Sequence, residues 1–226
     1  MKRKIITTGD GSKTIHLEEW NEQYHSIHGA INEANHVFIR HGLLFYSEFI
    51  SESNNQSINI LEIGFGTGLN AFLTLIEAEK LNVNINYTGI EAYPVTPKEI
   101  ETLNYADLIS KTHDTEFETM HSCSWEINVT ISKHFKLTKR QQFFEEITDI
   151  SSYNIIYFDA FGARVQPDLW TEAMFKKMHA ALKPNGVLVT YSAKGSVRRA
   201  LQNLGFRVER LDGPPNKRHM LRAIKS

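Results

Sequence analysis

A glycine loop and three acidic side chains are the residues of this 226-residue chain whose types and spacing suggest chemistry. The stretch Ile60-Leu61-Glu62-Ile63-Gly64-Phe65-Gly66-Thr67-Gly68-Leu69-Asn70 reads as a strand ending at Gly64 and a helix beginning just after Gly68. Glycines at such a joint let the backbone turn sharply and approach a ligand closely. A dinucleotide-binding loop is spaced G-x-G-x-x-G, and its third glycine would fall on Leu69. Here the glycines are Gly64, Gly66 and Gly68, preceded by Glu62; a glycine-rich turn without a ligand is the plain alternative. Glu91 ends a second strand 27 residues after Gly64, where a carboxylate can accept both hydroxyls of a ribose. The alternative there is a surface glutamate. Asp159 follows the apolar run Ile155 to Phe158 in Tyr157-Phe158-Asp159-Ala160-Phe161-Gly162. A carboxylate at that strand end can take a proton from an amine or hold it in line for attack. A helix cap or a buried turn aspartate is the competing reading.

Such residues need a frame that gathers strand ends, and the pattern from residue 58 onward predicts one. Ile58 to Ile63, Ile85 to Ile90, Ile155 to Phe158 and Val187 to Tyr191 read as strands. Helical patterns cover Leu69 to Lys80, Thr96 to Ile109, Pro167 to Leu182 and Ser196 to Leu204. Ile127 to Leu137 reads as a hairpin, Lys183-Pro184-Asn185-Gly186 as a turn, and Phe206 to Leu211 with Met220 to Ile224 as a final strand pair. Repeated β-then-α predicts a doubly wound, mostly parallel sheet with its ligand beyond the carboxyl ends of the strands. Residues 1–57 read as an N-terminal extension packed on a main domain of residues 58–226. Asp10-Gly11 between two extended runs predicts a hairpin. A helical region is expected from Glu18 to Ile50, with breaks at Gly29 and Gly42, and then a loop over residues 51–57.

Composition narrows the function. Hydrophobic residues make up 41% of the chain, enough for a real core. The single cysteine, Cys123, excludes an internal disulfide framework and a cysteine-cluster metal site. The ten histidines show no zinc-binding spacing, so no metal is expected. No apolar run approaches ~20 residues and no secretory signal is recognisable, which predicts a soluble cytoplasmic protein without a membrane. Trp20, Trp125 and Trp170 are expected in the core or at a docking contact rather than as base-stacking platforms. The net charge of -1 hides a balance of +10 over residues 176–226 and -11 over residues 1–175. That segregation suggests an anionic partner such as nucleic acid, or else helices and strands with solvated basic faces.

The form E-x-G-x-G-x-G resembles the loop of class I S-adenosylmethionine-dependent methyltransferases, with their Rossmann-like α/β fold. A wider resemblance is carried by Tyr24-His25-Ser26, the run from Glu62 to Asn70, Asp159-Ala160-Phe161, Leu169-Trp170, Thr190-Tyr191-Ser192-Ala193-Lys194-Gly195, Val197-Arg198-Arg199-Ala200-Leu201, Gly205-Phe206 and Lys217-Arg218. Together these resemble the MnmC-type enzymes of tRNA 5-methylaminomethyl-2-thiouridine biosynthesis, from about Thr8 to Ala223.

The resemblance implies methylation of the primary amine of 5-aminomethyl(-2-thio)uridine at the tRNA wobble position, in the anticodon region. It also implies a stand-alone methyltransferase whose amine comes from a separate FAD-dependent oxidase or another pathway enzyme. By the same resemblance Glu62, Gly64, Phe65, Gly66, Thr67, Gly68 and Asn70 line the cofactor and Glu91 holds its ribose. Tyr24 closes over it, Asp159 stands beside the transferred methyl, and Phe161 walls the acceptor pocket. Lys194, Arg198, Arg199, Lys217 and Arg218 are candidates for tRNA phosphates or for surface salt bridges. Two departures stand out. Gln141 occupies the place of an acid that meets the adenine amine, where its carbonyl oxygen can still accept. Gly162-Ala163-Arg164 follows Phe161 where the family usually has proline nearby. The rival readings are a small-molecule amine methyl- or aminopropyltransferase, and a binding module that has lost its chemistry.

Overall fold

The computed structural model describes residues 2–48 and 57–226. Strands β1 (Arg3–Thr7) and β2 (Lys13–Leu17) form the expected hairpin around Asp10-Gly11, and the short β3 (Glu22–Gln23) adds a third strand. Asp10 holds the turn by accepting from the Ser12 backbone N–H at 3.2 Å and its hydroxyl at 2.5 Å. Residues 18–28 are therefore not helical. The helix begins at α1 (Ala30–Ala34), continues through Asn35–Leu44 with the wider π-type winding, and ends in α2 (Phe45–Ser47). Gly42 does not break it: a Cβ there would lie 3.0 Å from the Tyr157 ring and 3.1 Å from Val189, so the glycine lets the helix lie close on the sheet. The predicted loop over residues 51–57 falls, apart from Ser57, outside the described residues, as does the end of the predicted helical region at Ile50.

The main sheet follows. It contains β4 (Ile58–Ile63), β5 (Ile85–Ile90), β6 (Asn128–Ser132), β7 (Phe135–Arg140), β8 (Tyr153–Phe158), β9 (Leu182–Thr190), β10 (Phe206–Asp212) and β11 (His219–Lys225). Their spatial order is β10-β11-β9-β8-β4-β5-β7-β6. The inner five strands β9, β8, β4, β5 and β7 are parallel, and antiparallel pairs close each edge. The predicted hairpin is β6–β7, and the turn predicted at 183–186 lies inside the longer β9, whose register against β8 shifts between Tyr153 and Ile155.

Helix α3 (Leu69–Leu81) follows β4 as predicted. The region predicted as one helix from Thr96 to Ile109 is two short ones, α4 (Pro97–Ile100) and α5 (Tyr105–Ile109). Thr96 and Glu99 cap α4 reciprocally, and Pro97 starts it, so the local signal is strong but short. Helix α6 (Asp114–Ser122) carries little periodic signal, because its apolar face is only Phe117 and Met120. Helices α7 (Glu172–Ala181) and α8 (Gly195–Asn203) complete the chain, with the first residues of the predicted 167–182 helix forming a separate 3-10 turn.

The apolar residues form two clusters, one on each sheet face. The helical segment from Ala30, together with α3, α5 and α6, packs around Phe38, Phe72, Tyr87, Tyr105 and Phe135. Helices α7 and α8 pack around Phe158, Trp170, Phe175, Leu188 and Leu201 on the other face. With both faces covered, the ends of the parallel strands are the place for a ligand in such a sheet.

Candidate active site

The register of the inner strands assembles the site. Ile63 of β4 pairs with Ile90 of β5 and with Phe158 of β8, and Ile90 pairs with Arg140 of β7. The next residue of each strand therefore falls in one row: Gly64, Glu91, Asp159 and Gln141. Backbone bonds hold this row, from Gly64 N to Ile90 O at 3.1 Å, Asp159 N to Ile63 O at 3.0 Å and Glu91 N to Arg140 O at 3.1 Å. A cleft of about 1060 Å³ opens over it. Its walls include Glu62, Gly64, Phe65, Gly66, Glu91, Gln141 and Asp159 of the predicted site, and also Tyr24 and Phe161.

The glycine loop turns as its composition requires. Gly64 has φ of +93°, Gly66 +50° and Gly68 +71°. A Cβ on Gly64 would meet the Asp159 carbonyl oxygen at 2.9 Å, so the loop and the strand end bearing the acid touch through their backbones. Thr67 does not face the cleft. Its hydroxyl lies 3.2 Å from the Tyr105 hydroxyl and 3.4 Å from His25 Nε2, and its side chain is buried. It ties the loop to the core. His25 Nδ1 in turn pairs with Thr14 of β2 at 3.0 Å. Burial lowers the His25 pKa to about 4, so the ring is neutral at neutral pH.

Two carboxylates meet beneath the loop. The Asn70 amide nitrogen donates to Glu62 at 2.8 Å and to Asp159 at 2.9 Å, and the Tyr87 hydroxyl donates to Glu62 at 2.8 Å. Burial pushes both acids well above the usual carboxylate range; for Glu62 the nearby Asp159 adds to the effect, and for Asp159 the nearby Glu33 does. Glu91 is also raised by burial, while backbone N–H groups of Tyr93 and Gly66 bond it at 2.9 and 3.1 Å.

Aromatic side chains close the cleft from the N-terminal extension. Tyr24 packs edge-on against Phe161 with ring centroids 5.0 Å apart, and Trp20 does so at 5.7 Å. Trp20, expected in the core or at a docking contact, is therefore a wall of the cleft. Trp170 is a core residue, its indole N–H donating to the Phe161 carbonyl at 2.7 Å. Arg164 Nη2 donates to the Trp20 and Asn21 carbonyls, each at 2.9 Å, and pairs with Glu22 at 3.0 Å. This departure from the family pattern thus pins the extension over the site. On the opposite side, Arg3 of β1 pairs with Glu99 at 3.2 Å and donates to the Tyr93 carbonyl at 3.1 Å. Neither arginine has a local sequence signal, because each acts on a segment distant in the chain.

The basic candidates separate. Lys194, Arg198, Arg199 and Arg218 are exposed. Lys217 is not a free surface cation: it pairs with the buried Glu33 and sits 4.2 Å from the centre of the Tyr191 ring. Among the described residues no group of three His, Cys, Asp or Glu side chains could hold a metal ion, and no helix is long and apolar enough to cross a membrane.

A doubly wound sheet, a glycine loop after its central strand and an acid at the end of each neighbouring strand define a Rossmann-like α/β fold of the class I methyltransferase type. The model of the S-adenosyl-L-methionine-dependent methyltransferase family matches residues 108–226, and the chain belongs to that family. It is 25% identical over 211 residues to the tRNA 5-methylaminomethyl-2-thiouridine biosynthesis bifunctional protein MnmC of Hydrogenovibrio crunogenus, covering 89% of this chain and 31% of that protein. It is 28% identical to the protein of the same name from Delftia acidovorans, over 99% of this chain and 35% of that protein. The chain thus spans about a third of the length of these curated relatives. The crystal structure of MNMC2 from Aquifex aeolicus superposes with a TM-score of 0.78 at 24% identity, covering 98% of this chain and 69% of that one, and shows the shared fold.

The cleft suits the family's cofactor on its own chemistry. S-adenosylmethionine carries a sulfonium and an ammonium, and among the described residues the cleft is lined by Glu62, Glu91, Glu99, Glu145 and Asp159 against the guanidinium of Arg3. The Asn70 amide oxygen, buried and without a partner among the described residues, is an acceptor left over between the two carboxylates.

Proposed function

We propose that this protein uses S-adenosylmethionine to methylate the primary amine of 5-aminomethyl(-2-thio)uridine at the wobble position of tRNA. One observation carries the reading: Asp159 stands at the aromatic-walled end of the cleft, beside Phe161, in the same row as Gly64 and Glu91. In this reading Gly64, Phe65, Gly66 and Gly68 shape the loop under the cofactor, and Glu62 with Asn70 faces its charged amino-acid end. Glu91 takes the ribose hydroxyls, Gln141 the adenine edge, and Tyr24 covers the top. When bound, the cofactor supplies a methyl carbon made electrophilic by its sulfonium.

The chain's own task is to present a neutral nitrogen. An aminomethyl group is an ammonium at neutral pH and has no lone pair to attack with. Asp159 takes that proton, and its raised pKa suits it to the role better than an ordinary exposed carboxylate. Phe161, Trp20 and Tyr24 exclude water and hold a planar base. Lys194, Arg198, Arg199 and Arg218 meet tRNA phosphates, and an FAD-dependent oxidase or another pathway enzyme supplies the amine. The +10 balance of residues 176–226 and the names of the curated relatives support tRNA over a small free amine.

The test is methyl transfer from labelled S-adenosylmethionine to tRNA from cells lacking the activity, followed by digestion to nucleosides. Label in 5-methylaminomethyl(-2-thio)uridine is expected, and Asp159→Asn should lose turnover while still binding the cofactor, with a weaker dependence of that binding on acid pH. Unlabelled tRNA with intact cofactor binding would move the substrate to small amines.

A further inference from the structure

Near Asp159 lies a half-buried ion pair that the proposed chemistry has not used. Glu33, on α1, accepts the Ser26 backbone N–H at 3.0 Å with one oxygen and the Lys217 ammonium with the other. Lys217 comes from the turn between β10 and β11, and its ammonium lies over the Tyr191 ring at 4.2 Å. The Tyr191 hydroxyl donates to the Ala160 carbonyl at 2.8 Å, one residue past Asp159. The turn itself is tight and anchored. The Lys217 N–H bonds the Pro214 carbonyl at 2.9 Å, and His36 Nε2 bonds the Asp212 carbonyl at 2.8 Å.

We propose that Glu33 and Lys217 are positioning residues that set the charge Asp159 presents to its substrate, by holding one anion and one cation at fixed places beside it. This rests on the reading of Asp159 as the acceptor-side carboxylate. The two act on Asp159 in opposite senses, Glu33 against its ionisation and Lys217 for it. Its remaining charged or titratable neighbours are Glu62 on β4, Tyr87 on β5 and Tyr191 after β9, with Asn70 of α3 bonding it directly. None of these is a cation, so Lys217 supplies the positive charge that favours the ionised acid. With the pair intact, Asp159 can lose its proton to solvent and regain one from a substrate ammonium. A proton taken from that ammonium leaves a neutral amine and a protonated Asp159, so the step balances without a further group. The arrangement also explains why a residue counted with the tRNA-facing cations is turned inward.

The opposed signs make the idea testable on the 226-residue chain. Affinity for S-adenosylmethionine is measured by calorimetry from pH 5 to 9, and the pH profile of methyl transfer is taken in parallel. Lys217→Met should move the acidic limb of both profiles up by about one pH unit, the low end for a close charge. Glu33→Gln should move it down, and the double variant should return near the wild type. Lys217→Arg and Glu33→Asp keep the charges and should leave the limb in place, so they serve if a neutral variant does not fold. Limbs that stay put, or that move the same way in both neutral variants, would reduce the pair to a structural staple. Failure of tRNA methylation by the wild type would refute the proposed function instead, while the calorimetric profile would still test the pair.

Discussion

Replacing Gly64 by alanine tests how tightly the glycine loop and the strand end bearing Asp159 are locked together. Gly64 sits at φ +93°, where an L residue costs ~1–2 kcal/mol. The new methyl would also lie 2.9 Å from the Asp159 carbonyl oxygen and 3.4 Å from its carbonyl carbon. Those are backbone atoms, and the Asp159 N–H is bonded to the Ile63 carbonyl at 3.0 Å, so they cannot rotate away. Overpacking of this kind costs ~1–3 kcal/mol. The two terms give about 2–5 kcal/mol, or a melting temperature lower by roughly 4–20 °C for a chain of this size. Gly205→Ala is the control, because Gly205 has φ +90° and no atom within 4 Å of the added Cβ. Both variants bear the backbone cost and both restrict the unfolded chain, so their difference isolates the collision at about 1–3 kcal/mol. Urea unfolding of the two variants measures that difference, and methyl transfer measures its consequence. A shift of Asp159 by about 1 Å should cost on the order of 10²-fold in rate. Equal stability of the two variants, with full transfer by Gly64→Ala, would refute the claim that the loop and Asp159 touch through their backbones.

Further outcomes follow from the same geometry. Glu62 and Asp159 are both raised in pKa by burial, so a cationic cofactor should release protons as it binds and bind more weakly as pH falls; calorimetry in two buffers of different ionisation heat reads the proton count. His25 has a folded pKa of about 4, below the ordinary value of 6.5, so acid protonates the unfolded chain first. Its contribution to stability is complete above about pH 6.5 and lost towards pH 4, at up to ~1.4 kcal/mol per pH unit, and urea unfolding of His25→Gln should show a shallower slope over that window. Joint replacement of Lys194, Arg198 and Arg199 by alanine should weaken tRNA binding and lessen its salt dependence, by about 0.9 in log–log slope for each duplex phosphate no longer neutralised; an unchanged slope in filter binding would remove α8 from the interface.

The parts of the site legible in the sequence are those fixed by neighbours along the chain. A strand, a glycine turn and a helix are local, so the loop from Glu62 to Asn70 can be read directly, and Glu91 and Asp159 can be placed at strand ends from their apolar runs. Their alignment in one row depends on strand register, which pairs residues 27 and 95 positions apart and has no local signature. Thr67 illustrates the limit: its place in the loop is local, while its inward turn is decided by Tyr105 and His25. Trp20 and Lys217 show the same effect at longer range. The type of each residue is compatible with several surroundings, and only packing of the extension and the C-terminal hairpin against the sheet selects one. Gly42 misleads for a related reason, since helix propensity disfavours glycine but close approach to Tyr157 and Val189 requires it.

The distribution of charge is the feature that joins these observations. A cationic cofactor and a polyanionic substrate make opposite electrostatic demands, and a uniformly charged surface would repel one of them. Here the carboxylates line the cleft at the strand ends, while Lys194, Arg198, Arg199 and Arg218 stand exposed outside it. At 0.15 M salt the field of an exposed charge decays over about 8 Å, so the outer cations can attract phosphate without cancelling the field inside the cleft. The enclosed acids are screened less and retain their hold on a cation. Lys217 is the exception, half-buried and paired with Glu33, and in the proposed reaction its positive charge favours the ionised form of the acid that would take the proton from the amine.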